Sequence, residues 1–386
     1  MMIPTSLHRS WGCLLCVIAA LGWPLPTGKA QGTDRIKGIA YQSYVEGTYA
    51  DRSQDDILDF VSSTGADWIS FNTPFIYDSE TGLIAARRGT TDFDGLPTAL
   101  VRAKARHLKT ALYVFVQTPT FGSLYADTTR PRDTDDFFRQ FGNLLSGYAD
   151  LAQRENVDLL ILGNEMNAIS GPAFREQWVG IIRMVRSRYA GMITYNAIPP
   201  YHLSNPTLSD VSSAVSFWDE LDYLGFSVWP RLSNREIPTR EEAERGWTTN
   251  VWTGSNYLQN LKAWSRLTGK PVVFVEIGYP SVNGAAINPG HSPAGKGVPN
   301  PELQAMLYDV MFSQLSKETG SWFAGMFLWS VDTWNQRLTP GYYTGGYRAV
   351  DFSFAEKQAR DVVRQWFSGV DGRSIWPTSA ASQRKP

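Results

Sequence analysis

Two glutamates stand at the ends of apolar runs. Residues 159–166 read Leu-Leu-Ile-Leu-Gly-Asn-Glu-Met and present Glu165, and residues 271–279 read Pro-Val-Val-Phe-Val-Glu-Ile-Gly-Tyr and present Glu276. A carboxylate at the end of a buried strand is costly unless it is paired or used. Two of them facing one cleft are the minimum equipment for breaking a glycosidic bond: one carboxyl protonates the leaving oxygen, and the other, ionised, acts on the far side of the sugar. Their surroundings must then push the two pKa values apart. A separation of about 5 Å would make the second carboxylate a nucleophile and the reaction retaining. The alternative is a structural pair that holds loop backbone or arginine.

Elements that could position such a pair follow from the hydrophobic pattern. Apolar, β-rich runs occur at residues 36–44, 68–77, 110–118, 159–166, 192–197, 221–229, 271–279 and 322–331. Amphipathic stretches at 54–64, 96–108, 136–154, 174–189, 257–268 and 301–319 lie between them. Short continuous apolar strands alternating with helices predict a parallel sheet covered on its outer face. Eight units in a chain of 386 residues predict an α/β fold closed as a single-domain (β/α)8 TIM barrel. A doubly wound open sheet competes, but the first strand runs into Tyr41-Gln42-Ser43-Tyr44 with no glycine-rich turn. In a barrel the reactive groups sit at the C-terminal strand ends, which is where both glutamates lie.

The domain limits read as 1–30 for a secretory signal peptide, 31–371 for the barrel and 372–386 for a frayed tail. His8 and Arg9 precede an apolar run at 11–23, and small residues Gly28 and Ala30 stand at the cleavage positions. The run is short for a membrane span, although an uncleaved anchor is the competing reading. Both cysteines, Cys13 and Cys16, fall inside this segment. A mature chain without cysteine excludes a disulfide framework, a thiol nucleophile and a cysteine–zinc site. His107, His202 and His291 show no ligand spacing, so no metal or other cofactor is expected. A formal net charge of -1 without a dense basic run argues against nucleic acid and anionic membranes as partners. Aromatic residues make up 13% of the chain, which suits either a large core or a surface that stacks on sugar rings. The segment 283–301, rich in Gly, Pro and Asn, is expected to be a long loop on the catalytic face.

Asn164-Glu165 closing the fourth strand and Glu276 closing the seventh resemble the pattern of clan A of the glycoside hydrolases. Stretches 157–167, 178–197, 215–230 and 269–285, with Lys37-Gly38-Ile39-Ala40-Tyr41 at the start, are similar to glycoside hydrolase family 113, whose known members are mainly β-mannanases. The resemblance implies Glu165 as acid/base, Glu276 as nucleophile and Asn164 as ligand of the sugar 2-hydroxyl. It implies cleavage of a β-linked polysaccharide, foremost β-1,4-mannan; the leader pattern adds a secreted or periplasmic location, and a monomer is expected. Another β-glycan or a bacterial exopolysaccharide is the nearest alternative substrate, and a non-catalytic carbohydrate-binding barrel the alternative of another class. Many clan members carry an arginine at the end of strand two. Here that strand ends in Phe71-Asn72-Thr73-Pro74-Phe75, so Asn72 takes a polar role there or the support comes from elsewhere. Trp329, at the end of the eighth strand, stands where the clan often places a ring under the sugar. Trp229, Trp334, Tyr41 and Tyr279 are further candidate binding surfaces, and Asn196 a candidate partner of sugar hydroxyls. His202 reads as a structural histidine, and Asp219, Glu220 and Asp222, before strand six, as structural carboxylates.

Overall fold

The computed structural model describes residues 35–86, 89, 91–120, 123–125, 129–199, 206–293, 295–332 and 347–375. The strands are β1 (Ile36–Gln42), β2 (Trp68–Asp78), β3 (Leu83–Ala86), β4 (Lys109–Thr120), β5 (Ser123–Tyr125), β6 (Leu159–Asn164), β7 (Met192–Ala197), β8 (Leu224–Ser227), β9 (Val272–Ile277) and β10 (Phe323–Asp332). The helices are α1 (Asp55–Ser63), α2 (Leu96–Ala105), α3 (Thr134–Arg154), α4 (Arg175–Arg188), α5 (Leu208–Ala214), α6 (Arg240–Thr248), α7 (Tyr257–Thr268), α8 (Pro301–Ser316), α9 (Tyr347–Val350) and α10 (Ala359–Ser368). Eight strands pair in parallel in the order β1-β2-β4-β6-β7-β8-β9-β10, and β10 returns to β1. The sheet is therefore a closed (β/α)8 barrel. β3 and β5 are short antiparallel additions to the ends of β2 and β4.

Alternation along each strand divides the core in two. On β4, Ala111, Tyr113 and Phe115 join a cluster with Trp68, Ile161, Val275, Phe327 and Trp329 that fills the barrel. Leu112, Val114 and Val116 face the other way, into the larger layer between strands and helices. Helix α3 shows how the outer layer is built. Asp133 caps it by accepting from the Asp136 amide, and Asp135 and Asp136 place negative charge in its first turn. Phe137, Phe141, Leu145, Tyr148 and Ala152, three or four residues apart, form its buried stripe. Each large side chain of such a stripe contributes about 1.5–3 kcal/mol by leaving water. Helix α7 ends on Gly269 in the left-handed region (φ 70°), which turns the chain directly into β9 and so sets the strand that carries Glu276.

The chain stays packed beyond the expected start of the tail. Ile375 is 0% exposed, and its carbonyl accepts a 2.9 Å hydrogen bond from the Arg35 guanidinium. Ile375 is thus packed against the N-terminal edge of the barrel, whereas Gly372 and Arg373 before it are exposed. The leader segment 1–30 and residues 376–386 lie outside the described residues.

Candidate active site

Glu276 projects from β9 into the barrel and is only 6% exposed. A register shift between Phe226 and Ser227 sets Ser227 of β8 opposite it. The Tyr113 hydroxyl of β4 donates to Glu276 Oε1 at 2.6 Å, and the Asn196 amide of β7 donates to the same oxygen at 3.1 Å. Asn196 Nδ2 also lies 2.5 Å from the Tyr113 oxygen and 2.7 Å from Ser227 Oγ, which fixes the group as a unit. Burial pushes the Glu276 carboxyl well above its usual range, and the charge of Glu165 pushes it further. Hydrogen bonds from Tyr113, Ser227 and Trp229 pull it back.

Glu165 follows the last residue of β6 and is half-buried. Its backbone is in the left-handed region at φ 47°, which costs a side-chain-bearing residue about 1–2 kcal/mol. The conformation is held on both sides. Its amide donates to the Asn196 carbonyl at 2.7 Å, and its carbonyl accepts from the Asn167 amide at 2.7 Å. The next amide, Met166, donates to the Tyr195 hydroxyl at 2.8 Å. Strain kept in place by this many bonds at a strand end is a mark of a functional position. The charge of Glu165 acts on both Glu276 and the Tyr113 hydroxyl, raising both. The two glutamates therefore lie close enough for the charge of one to act on the other.

Around the pair the barrel offers rings and amides. Phe115 lies edge-on to Tyr113 at 5.1 Å and stacks on Trp329 at 6.2 Å, so an aromatic series leads from the partner of Glu276 to the end of β10. Asn72, 1% exposed, is in register with Gln42 of β1 and with Tyr113 of β4. Neither atom of its side-chain amide has a protein partner, and the same holds for Gln42 Nε2, Gln117 Oε1 and Asn196 Oδ1. A buried polar group without a partner costs about 1–3 kcal/mol. A row of them at one end of a barrel is suited to polar ligand groups.

The model of Glycoside Hydrolase Family 113 matches residues 40–357. The chain belongs to this family. No curated protein matches the sequence. A family 113 β-1,4-mannanase structure is similar at 22% identity and TM-score 0.67, over 87% of this chain and 99% of that one. The family 113 β-mannanase from Alicyclobacillus acidocaldarius is similar at 20% identity and TM-score 0.69, over 88% and 99%. A family 5 mannosidase from Rhizomucor miehei shares the fold at 11% identity and TM-score 0.58, over 87% and 93%.

In this family 113 chain, Glu165, Glu276, Asn164, Asn196, Asn72 and Trp329 all fall at the same end of the barrel. Asn164 is buried and its Oδ1 accepts from the Val116 amide at 3.2 Å. Two of the candidate rings are placed in packing. Tyr41 and Tyr279 have no exposed ring surface to offer a sugar: Tyr41 packs against Tyr49 and Phe71, and Tyr279 against Tyr308. The Asn196 amide nitrogen is spent on Glu276, Tyr113 and Ser227. Trp229 is half-covered by Gly290 and Phe352 and acts on Glu276 through a hydrogen bond. Asp219 and Asp222 are structural as expected, paired with Arg175 and Arg186. Trp334 and His202 lie outside the described residues. Sequence reading missed Tyr113 and Ser227. The signal for Tyr113 was its phenol at an inward position of an otherwise apolar strand, level with Asn72.

Proposed function

We propose that this glycoside hydrolase cleaves β-1,4-mannan by double displacement, with Glu276 as nucleophile and Glu165 as acid/base. The observation that carries the reading is the asymmetry of the coupled pair. Glu276 is surrounded by Tyr113, Asn196, Ser227 and Trp229, which favour its ionised form, whereas Glu165 stands at the rim, half-buried. The donors on Glu276 favour its ionised form against the burial that opposes it, and the reaction requires the proton on Glu165, the more open of the two. In the first step a Glu276 oxygen bonds to the anomeric carbon while Glu165 gives its proton to the departing oxygen. In the second, Glu165 takes a proton from water, the water oxygen bonds to the anomeric carbon, and Glu276 leaves as carboxylate. The mannanase assignment draws on family membership and on the mannan-active enzymes that share the fold. The N-terminal pattern of 1–30 supports export, so the polymer would be met outside the cytoplasm.

The test is product analysis of the purified mature chain, wild type beside Glu276→Ala, on β-mannan, β-glucan, xylan, galactan and chitosan. Oligosaccharides from mannan by the wild type alone are expected. Release from a different polymer only would overturn the substrate. Near wild-type hydrolysis by Glu276→Ala would overturn the mechanism.

A further inference from the structure

Beside the catalytic pair lies a pocket of about 420 Å³ lined by Trp229, Arg231, Trp252, Ile287, Pro289 and His291, together with Asn288 and Gly290. Its volume suits one sugar ring. Trp229 forms its inner wall and also hydrogen-bonds Glu276, so the pocket begins within one indole of the reacting carboxylate. Its outer wall is Trp252, which is 64% exposed. Asn250 Oδ1 accepts the amides of Trp252 and Thr253 at 2.8 and 3.1 Å, so this exposed ring sits on a fixed turn. An indole face fixed in this way beside a pocket is available to stack on a sugar ring.

The charge in the pocket is one-sided. The Arg231 guanidinium lies 4.6 Å from the Trp252 ring centroid, and its Nε is buried without a hydrogen-bond partner. Every other arginine ion pair in this region is made elsewhere: Arg235 binds Glu242, and Arg240 binds Glu244 and Asp309. Among the described residues no carboxylate pairs with Arg231, and the pocket lining has no Asp or Glu. His291 adds an imidazole to the same lining. A guanidinium stacked on a ring, with donors left over, is built for planar, bidentate contact with a carboxylate.

We infer that this pocket is a subsite for a carboxylate-bearing sugar, so the preferred glycan carries uronic acid units next to the bond that is cut. The inference rests on the hydrolase reading above and places the uronic acid units within the β-mannan backbone that it cuts. Trp252 supplies the stacking face and Arg231 the carboxylate contact, while Trp229 sets the subsite against Glu276. A neutral mannan would use the ring and leave the guanidinium with water.

Two measurements on the full mature chain test it. The first is equilibrium binding of β-1,4-mannotriose and β-1,4-linked mannuronic acid trisaccharide, read by tryptophan fluorescence. The acidic trisaccharide is expected to bind at least tenfold tighter, and Arg231→Gln to abolish that preference, with Arg231→Lys restoring part of it. Equal binding, or a preference that survives Arg231→Gln, overturns the subsite whether or not the chain turns over any polymer. The second is kcat/KM on β-1,4-mannan and on the same polymer partly oxidised at C6. The ratio of oxidised to neutral should fall at least tenfold in Arg231→Gln. A ratio below one in the wild type overturns the inference while leaving the hydrolase reading intact. Loss of all turnover with acidic binding preserved would instead sink the hydrolase reading alone.

Discussion

At the scale of single residues, the site depends on hydrogen bonds that make a buried carboxylate usable. Tyr113 donates to Glu276 at 2.6 Å, and this bond lowers a pKa that burial and Glu165 raise. Removing it removes stabilisation of the ionised form only, so the Glu276 pKa must rise. Tyr113→Phe is therefore expected to shift the acidic limb of the kcat/KM profile upward by about one to two pH units, since a hydrogen bond to a charged group contributes roughly 1.5–3 kcal/mol and one unit is 1.36 kcal/mol. An unmoved limb in a pH–rate series would contradict the role. Asn72 makes a contrasting case. Because its amide has no protein partner, Asn72→Leu should raise Tm slightly while lowering kcat/KM about tenfold or more. A fall in Tm would show that the amide is structural. Both glutamates were legible in the sequence, because a carboxylate closing an apolar run demands an explanation. Tyr113 was not singled out: its strand is covered on both faces, so no alternation in the sequence separates the residue that meets Glu276 from its neighbours.

At the scale of elements, strand and helix positions were readable because burial imposes a period, whereas the loops that shape the cleft carry none. All eight barrel strands fall within or across the predicted apolar runs, and α7 spans the predicted 257–268. β3, β5 and helices α5, α6, α9 and α10 were not foreseen; all but α10, which follows the last strand, are too brief or too polar to show a pattern. The segment after β9 was expected to be a loop on the catalytic face, but its contact was not. It is fastened by Leu232 and Ser233 amides to the Ala286 carbonyl, at 2.9 and 3.3 Å, and by Gly284 to the Glu236 carbonyl at 2.8 Å. This brings Gly290 flat against Trp229, where an added Cβ would lie 2.9 Å from the indole Cγ. Gly290→Ala must push the ring that hydrogen-bonds Glu276. It should lower kcat more than it raises KM and destabilise by about 1–3 kcal/mol in chemical unfolding. A change confined to KM would place the strain elsewhere in the loop.

At the scale of the whole molecule, a barrel is only as closed as its first and last segments. Arg35, just before β1, donates to the Ile375 carbonyl at 2.9 Å and to the Glu318 carbonyl at 2.7 Å, and Lys37 donates to the Phe367 carbonyl at 2.9 Å. These bonds join residues more than 280 apart in sequence and hold α10 across the seam between β1 and β10. Arg35→Ala leaves the buried Ile375 carbonyl without its donor, which costs about 1–3 kcal/mol, and the part-buried Glu318 carbonyl to be met by water. It should lower Tm clearly with kcat at 25 °C within twofold of wild type; an equal Tm would mean that water replaces the guanidinium. The sequence placed the end of the barrel at 371 because glycine and polar residues follow, and a single buried isoleucine four residues later leaves no periodic trace. The central claim, a double displacement through Glu276, is tested most directly by following the anomeric protons of mannohexaose products in the first seconds of reaction, wild type beside Glu276→Ala. The account predicts that the wild type releases the β-anomer first, that the α-anomer appears only by mutarotation, and that the variant releases neither. Initial release of the α-anomer, or equal release by the variant, would contradict it.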